Sequence, residues 1–257
     1  MKVSAVSCRN PKTKEDLNYI LHYVPAESDS LVVFPEYFLA FLPAQRREEL
    51  KKELFSLCSQ FAVDNKMYLA FGMLEYEYSR YPGGDKAYLT GVLMNKSGKI
   101  IGAQRKLNPT SFEVADYNIS KGTSKNIITA EFGTVGISMC KDQWYFKQSS
   151  DADIILHLRG FGLNNPKYGK FYDNWLMLDR TTAILNKAYV IGTTGLDKDG
   201  SPGCLMDIIN YEGDVLMKSE GIVTPSLFGA IITADLDLDK LGKYKKNEFQ
   251  PYSVPRF

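Results

Sequence analysis

The sequence predicts an α/β protein in which one or two mixed β-sheets carry helices on their outer faces. Strand-like and helix-like segments alternate through the first half of the chain, a pattern typical of crossover units with parallel strands. Lys96-Ser97-Gly98 lies between two strand-like runs and indicates a hairpin, which requires antiparallel strands. The segment from Tyr189 to Asp235 reads mostly as strands joined by glycine-rich turns. The sheets should therefore contain both parallel and antiparallel pairs.

The individual elements follow from hydrophobic periodicity. The clearest helix spans residues 45–64, where Leu50, Leu54, Cys58 and Phe61 form an apolar stripe opposite charged residues. Strands are predicted at residues 3–8, 31–34, 67–74, 86–95, 100–105, 135–139 and 153–158, and further helices at about 14–23 and at 171–186. No linker rich in Pro, Gly or Ser and no fixed repeat divides the chain, so residues 1–257 are interpreted as a single domain.

Composition excludes several classes of function. The chain has 257 residues, a formal net charge of +1, 44% hydrophobic and 24% charged residues, which is ordinary for a soluble globular protein. The sequence lacks the stripe of basic residues that is typical of nucleic-acid binding. It also lacks an apolar run long enough for a signal peptide or a membrane span. The 4 cysteines are scattered without a CxxC pair, so neither a disulfide framework nor a metal site is expected. Cysteines without a disulfide pattern are expected to be reduced thiols, which are typical of the cytoplasm, so we expect a cytoplasmic protein.

Three chemically active residues follow predicted strands. Glu36 comes after the apolar run at 31–34, Lys106 after the run at 100–105, and Cys140 after the run at 134–139. Ligand sites of open α/β sheets lie outside the carboxyl ends of the strands, which is where these side chains should be. Cys140 alone could equally be an inert core thiol, but the three residues together favour a reactive site.

These segments resemble the motifs of the nitrilase, or carbon–nitrogen hydrolase, superfamily. The matching residues are Phe34-Pro35-Glu36, Arg105-Lys106 and the Gly136 to Asp142 stretch, in the family's order, and the likeness extends over nearly the whole chain. The resemblance implies a four-layer α-β-β-α sandwich with two mixed sheets. It also implies a hydrolase that uses a cysteine nucleophile and needs neither metal nor organic cofactor.

The resemblance assigns a catalytic triad whose chemistry suits amide hydrolysis. Cys140 is the nucleophile, Glu36 the general base and acid, and Lys106 the cation that stabilises the thiolate and the tetrahedral oxyanion. The backbone N–H of Lys141 is expected to assist at the oxyanion. Glu113, seven residues after Lys106, is the candidate for the family's second glutamate, which would orient Lys106 or the attacking water; its alternative is an exposed loop carboxylate.

The sequence departs from the family after Cys140. The helix that usually follows the nucleophile is shortened here, and it often contributes to the family's dimer interface. A homo-oligomer is therefore left open. Trp144 stands where an arginine is common, so we expect a neutral or apolar substrate, unless Arg159 supplies the missing charge. Trp144 could instead simply pack, and Arg159 could be a solvated surface residue.

The leading hypothesis is a carbon–nitrogen hydrolase that cleaves a non-peptide C–N bond of a small amide through a thioester. Nitrile hydrolysis is the second choice within the same class. A hydrolase of another class would pair Cys140 with His157, although His157 lies in a buried-looking run and reads better as a core histidine. A catalytically silent binding protein with the same fold is the non-enzymatic alternative. The expected partner is a small amide or nitrile, with no nucleic acid and no membrane.

Overall fold

The computed structural model describes residues 1–78, 85–145, 151–160, 171–196, 206–219 and 226–246. In these ranges the helices are α1 (Lys14–His22), α2 (Arg47–Asn65), α3 (Ser111–Tyr117), α4 (Phe171–Asn186) and α5 (Leu238–Lys246). The strands are β1 (Lys2–Cys8), β2 (Leu31–Val33), β3 (Tyr68–Glu77), β4 (Lys86–Met94), β5 (Ile100–Arg105), β6 (Ile127–Ala130), β7 (Gly133–Met139), β8 (Ile154–Leu158), β9 (Tyr189–Gly195), β10 (Met206–Ile209), β11 (Val215–Ser219) and β12 (Phe228–Asp235).

The strands form a mixed sheet, as predicted. Their order is β5-β4-β3-β2-β1-β9-β8-β7-β6, while β12 pairs with β1, β10 with β9 and β11 with β10. The pairs around β2 and β8 are parallel, and the hairpin pairs such as β4–β5 and β6–β7 are antiparallel. The predicted division into two separate sheets is not seen in this hydrogen bonding. Two residue pairs, Ser7 with Thr194 and Cys8 with Gly195, join β1 to β9 and so link the two halves.

Alternate residues of the strands pack on different sides of the sheet. Val3 and Ala5 of β1 lie in a core that also contains residues of β7, β8, β9 and β10, so the two halves of the sheet bury one shared apolar interior. Val6 and Cys8 of the same strand pack instead with α1 and α2. The other half is covered by α4, whose Ala183 packs against β8 and β9. This alternation is the period of two that a β-strand imposes.

Some elements were absent from the sequence prediction. They are α3, β6, α5 and a short 3₁₀ helix at Cys140–Tyr145, which directly follows β7. The sequence interpretation of a shortened helix after Cys140 falls partly on residues 146–150, which lie outside the described residues. Among the described residues, no helix has both the length and the apolar character that a membrane crossing needs.

Gly72 in β3 allows a close approach by the segment after β2. The N–H of Gly72 donates to the carbonyl oxygen of Pro35 over 3.1 Å, and the N–H of Leu39 donates to the Gly72 carbonyl over 2.9 Å. A Cβ at position 72 would overlap the backbone of Glu36. The absence of a side chain here therefore fixes where the Glu36 segment lies.

We predict that Gly72→Ala destabilises the protein, because the added methyl group must displace the backbone of Glu36. Overpacking of a dense interior typically costs about 1–3 kcal/mol. Gly242→Ala in α5 is the matched control, since a Cβ there meets nothing within 4 Å. Alanine favours a helix over glycine by about 1 kcal/mol, so the control should be neutral or more stable. Urea unfolding measures both changes, and an unchanged midpoint for Gly72→Ala would contradict the close approach.

Candidate active site

The structure brings together the three residues that follow β2, β5 and β7. Lys106 Nζ donates to Glu36 Oε1 over 2.7 Å, and both side chains are fully buried. The charges of Glu36 and Lys106 both act on the thiol of Cys140. Three segments far apart in the chain thus supply a carboxylate, an ammonium and a thiol to one place, as the sequence predicts for the carboxyl ends of strands.

Backbone contacts hold the segments that carry these residues. The N–H of Glu36 donates to the carbonyl oxygen of Arg159 over 3.2 Å. The N–H of Lys106 donates to the carbonyl of Leu89 over 2.7 Å, which extends the pairing of β4 and β5 by one residue. The aromatic rings of Phe34 and Phe38 stack 4.2 Å apart and are buried on either side of Glu36 in the chain. These contacts keep Glu36 and Lys106 in fixed positions away from water.

Lys106 lies between two buried carboxylates. Its Nζ also donates to Glu113 Oε1 over 2.7 Å, and Tyr37 donates its hydroxyl to the same oxygen over 2.6 Å. Burial alone would lower the pKa of Lys106, but the attraction of Glu36, Cys140 and Glu113 raises that pKa above its ordinary value. Lys106 is therefore an ammonium at every pH at which the protein would work.

Glu113 has a second function in the local structure. Its Oε2 accepts the N–H of Thr110 over 2.6 Å, and the hydroxyl of Thr110 accepts the N–H of Glu113, so the two residues form the capping box of α3. Although burial opposes it, Lys106 and these hydrogen bonds hold the pKa of Glu113 below its ordinary value. Glu113 is thus a fixed carboxylate that holds Lys106 in place.

Glu36 has the properties of a proton acceptor. Burial raises its pKa to about 8, since the charge of Lys106 only partly offsets burial and the charge of Glu113 adds to the rise. Among the described residues, its buried Oε2 has no hydrogen-bond partner. A carboxyl group with one free oxygen and a pKa near neutrality can both take up and return a proton.

The thiol of Cys140 needs such an acceptor. Burial and then the charge of Glu36 raise its pKa to about 12, while Lys106 and the N–H of Gly160 act in the opposite direction. The sulfur therefore keeps its proton in the free protein, and attack on a substrate requires proton transfer to a base. Cys140 also has a φ of 43°, in the left-handed region that non-glycine residues seldom adopt and that is commonly found at functional sites.

His157 does not contact the thiol. Its Nδ1 lies 2.7 Å from Asp179 Oδ1, and its Nε2 lies 3.3 Å from the carbonyl oxygen of Cys140. Both ring nitrogens are therefore directed at other groups, and the ring is buried. The geometry does not provide the base–thiol contact that a Cys140–His157 hydrolase requires.

The comparison with known proteins follows the same segments. The sequence model of the carbon-nitrogen hydrolase family matches residues 20–246. The chain belongs to the carbon-nitrogen hydrolase family. Nitrilase 2 of Arabidopsis thaliana is 24% identical over 296 residues, covering 96% of this chain and 84% of that protein. Deaminated glutathione amidase of Mus musculus is 26% identical over 180 residues, covering 63% of this chain and 54% of that protein.

A solved structure shows the same fold. Saccharomyces cerevisiae Nit3, a member of branch 10 of the nitrilase superfamily, superposes with a TM-score of 0.74 at 19% identity, covering 100% of this chain and 97% of that chain. Membership of the nitrilase superfamily, which the sequence predicted, is confirmed. The described residues of this family member contain no group of three or more His, Cys, Asp or Glu that could hold a metal ion.

The remaining predicted site residues lie close to Cys140 in different environments. Lys141 follows it in the 3₁₀ helix, whose first N–H groups have no acceptor within the helix. Trp144 is 43% exposed and packs edge-on against Trp175. Arg159 is 3% exposed, and its guanidinium donates to the carbonyl of Thr193 and to Asp207. The proposed roles of Lys141, Trp144 and Arg159 toward a substrate stay predictions.

Sequence reasoning missed several residues of this site. The Thr110-x-x-Glu113 spacing is a capping-box signature and could have predicted α3, and with it a fixed position for Glu113. Tyr37 directly follows Glu36 but gave no signal of its contact with Glu113. Asp179 and Asp207 lie far apart in the sequence, and no local pattern predicts that both reach Arg159.

We predict that Glu113→Gln lowers the pH at which Glu36 ionises, because the negative charge of Glu113 contributes to the raised pKa of Glu36. Glutamine also serves in a capping box, so α3 should be retained. The measurement is the rate of Cys140 alkylation by iodoacetamide as a function of pH, which should rise near pH 8 in the parent as Glu36 becomes a base. In Glu113→Gln the rise should occur at lower pH.

Asp116→Asn is the control, since it makes the same chemical change at an exposed position of the same helix. It should leave the profile unchanged. A Glu113→Gln profile that coincides with that of Asp116→Asn would show that Glu113 has no electrostatic influence on Glu36.

Proposed function

We propose that this protein is a cysteine-dependent hydrolase that cleaves a non-peptide C–N bond of a small amide through a thioester intermediate. The observation that carries the proposal is the Lys106 ammonium held 2.7 Å from each of two buried carboxylates, beside the thiol of Cys140. The arrangement contains a nucleophile, a base with a pKa near neutrality and a permanent cation, which are the three groups that acyl transfer to sulfur needs.

The first step is attack on the amide carbonyl. Glu36 takes the proton of Cys140 while the sulfur bonds to the carbonyl carbon. The negative charge that develops on the carbonyl oxygen is stabilised by Lys106 and by the N–H of Lys141. Removal of one such donor typically costs about 10²–10³ in rate. The fixed ammonium does this without reorganisation, because Glu36 and Glu113 already hold it.

The second step expels the amine, and the third regenerates the thiol. Glu36 gives its proton to the leaving nitrogen as the C–N bond breaks, which leaves an acyl group on Cys140 and an ionised Glu36. Water then attacks the thioester, Glu36 takes a proton from the water, and the acid departs. The proton returns to the sulfur of Cys140. No atom or electron is needed beyond the substrate and one water molecule.

Nitrile hydrolysis is the second candidate, because nitrilases are among the proteins that align with nearly the whole chain. Nitrilase 2 of Arabidopsis thaliana aligns with 96% of this chain, whereas the amidase of Mus musculus aligns with 63%. The same three residues can support either reaction, since attack of the sulfur on a nitrile carbon gives a thioimidate that water can also hydrolyse. Identities below 30% do not favour one substrate over the other.

We further propose that residues 1–257 form a single catalytic domain. We infer that the two halves of the sheet are the inner layers of a four-layer α-β-β-α sandwich, with α1 and α2 on one outer face and α4 on the other. The shared apolar interior between the halves supports this layering. The proposed site lies at one edge of these inner layers, where β2, β5 and β7 end.

We predict that the protein releases ammonia or an amine from at least one member of a panel of neutral amides, carboxylated amides, ureido compounds and nitriles. Cys140→Ala should abolish turnover, and Glu36→Gln should lower it by about 10²–10⁴-fold, as expected for loss of a general base. Intact mass and peptide mapping should detect an acyl adduct at Cys140 in the parent.

Neutral amides should be preferred over carboxylated ones, because the Arg159 guanidinium is bound to Asp207 and to the carbonyl of Thr193.

Cys58→Ala is the control, since Cys58 is a buried thiol of α2 that packs among apolar side chains. It should retain turnover. Undiminished turnover by Cys140→Ala would exclude the covalent mechanism. An inert protein with a slowly alkylated Cys140 would instead support the catalytically silent alternative.

A further inference from the structure

A cluster of buried charged side chains lies directly behind the nucleophile. It consists of His157, Arg159, Asp179 and Asp207, and we refer to these four residues as the buried charge cluster. The exposed fraction is 3% for Arg159 and 0% for the other three. Buried ionic groups are costly, and well-packed apolar residues in their place often give an equally stable or more stable protein. Stability alone therefore does not account for four such groups here.

The members of the buried charge cluster are joined in a chain. Asp179 Oδ1 contacts His157 Nδ1 over 2.7 Å and accepts from Gln143 over 2.9 Å, while its Oδ2 lies 3.4 Å from Arg159. Arg159 also donates to Asp207 over 3.0 Å. Gly192 provides the space, since a Cβ at that position would overlap the guanidinium.

The contacts of the ring define what it bridges. A carbonyl oxygen can only accept, so His157 Nε2 must carry a hydrogen to bond to Cys140. The other ring nitrogen, Nδ1, lies 2.7 Å from Asp179 Oδ1. The ring therefore links the backbone of the nucleophile to a buried carboxyl group.

The same elements reach both Cys140 and Glu36. His157 contacts the carbonyl of Cys140, whose φ of 43° must be held by its surroundings. The carbonyl of Arg159 accepts the N–H of Glu36, and the N–H of Gly160 bonds to the sulfur of Cys140. Residues 157–160 thus touch the nucleophile and the base from one strand end.

From this geometry we infer that the buried charge cluster is a positioning unit, in which His157 holds the carbonyl of Cys140 and keeps the nucleophile turn in its reactive left-handed conformation. His157 is a positioning residue and exchanges no proton with the substrate. The inference rests on the proposed function, because it assumes that Cys140 is the reactive thiol. It assigns a role to His157, Asp179 and Asp207 that a simple core histidine would not have.

Two substitutions of His157 separate positioning from packing. The amide nitrogen of asparagine occupies the place of Nδ1, so His157→Asn keeps a donor for Asp179 and loses the contact with Cys140. The amide nitrogen of glutamine occupies the place of Nε2, so His157→Gln keeps the donor to Cys140. A purely structural role predicts similar losses in both variants. Positioning predicts that only His157→Gln retains a reactive Cys140.

The measurement is the rate of iodoacetamide labelling at each cysteine, followed by peptide mass spectrometry. Cys8 and Cys58 are 1% and 0% exposed, so the reagent cannot reach these thiols in the folded protein and their labelling reports on unfolding. In His157→Asn we expect Cys140 to label about 2-fold to 10-fold more slowly, the range for loss of an ordinary hydrogen bond. In His157→Gln most of the rate should return.

The outcomes distinguish this inference from the proposed function. Labelling of Cys140 in the parent no faster than that of Cys8 would overturn the proposed function itself. Fast labelling in the parent together with an unchanged rate in folded His157→Asn, or with equal losses in both His157 variants, would overturn only the positioning role. If His157→Asn exposes Cys8 and Cys58, Asp179→Asn decides, since it keeps the shape of the side chain and removes the negative charge that His157 Nδ1 faces. Slower labelling of Cys140 alone supports positioning, and an unchanged rate refutes it.

Discussion

The arrangement of the site depends on one buried ammonium, that of Lys106. A cation without water must be paired, and Lys106 is paired twice, with Glu36 and Glu113 at 2.7 Å each. Each carboxylate is in turn held by its own segment: Glu36 by the approach to Gly72 and by Arg159, and Glu113 by the capping box of α3. The positions of β2, β5 and α3 are thereby linked through a single nitrogen.

The two carboxylates around Lys106 have different properties because their surroundings differ. Glu113 accepts hydrogen bonds from Lys106, Tyr37 and Thr110, which keep it ionised, whereas Glu36 retains a free oxygen and a pKa of about 8. One residue can therefore hold the cation while the other moves protons. Beside them, burial raises the pKa of the Cys140 thiol to about 12, so this sulfur keeps its proton in the free protein.

Local patterns in the sequence predicted the mixed α/β fold and the three strand ends that carry Glu36, Lys106 and Cys140. The β1–β9 pairing that joins the two halves of the sheet could not be predicted, because it depends on contacts between Ser7 and Thr194 far apart in the chain. Glu113 was a candidate by spacing alone, although Thr110 provided a helix-start signal that would have placed it on α3. The sequence singled out His157 and Arg159 individually, but their contacts with Asp179 and Asp207 could not be predicted, because these residues lie far apart in the chain.

The most direct test of the central role of Lys106 is the pH dependence of Cys140 alkylation in Lys106→Met, with the exposed Lys121→Met as the control. The charge of Lys106 lowers the pKa of both Glu36 and Cys140. Its loss should move the rise in rate to higher pH, so labelling near neutrality should slow by about 10-fold for each pH unit of that move. A Lys106→Met profile identical to that of Lys121→Met would contradict the dependence of the site on this ammonium.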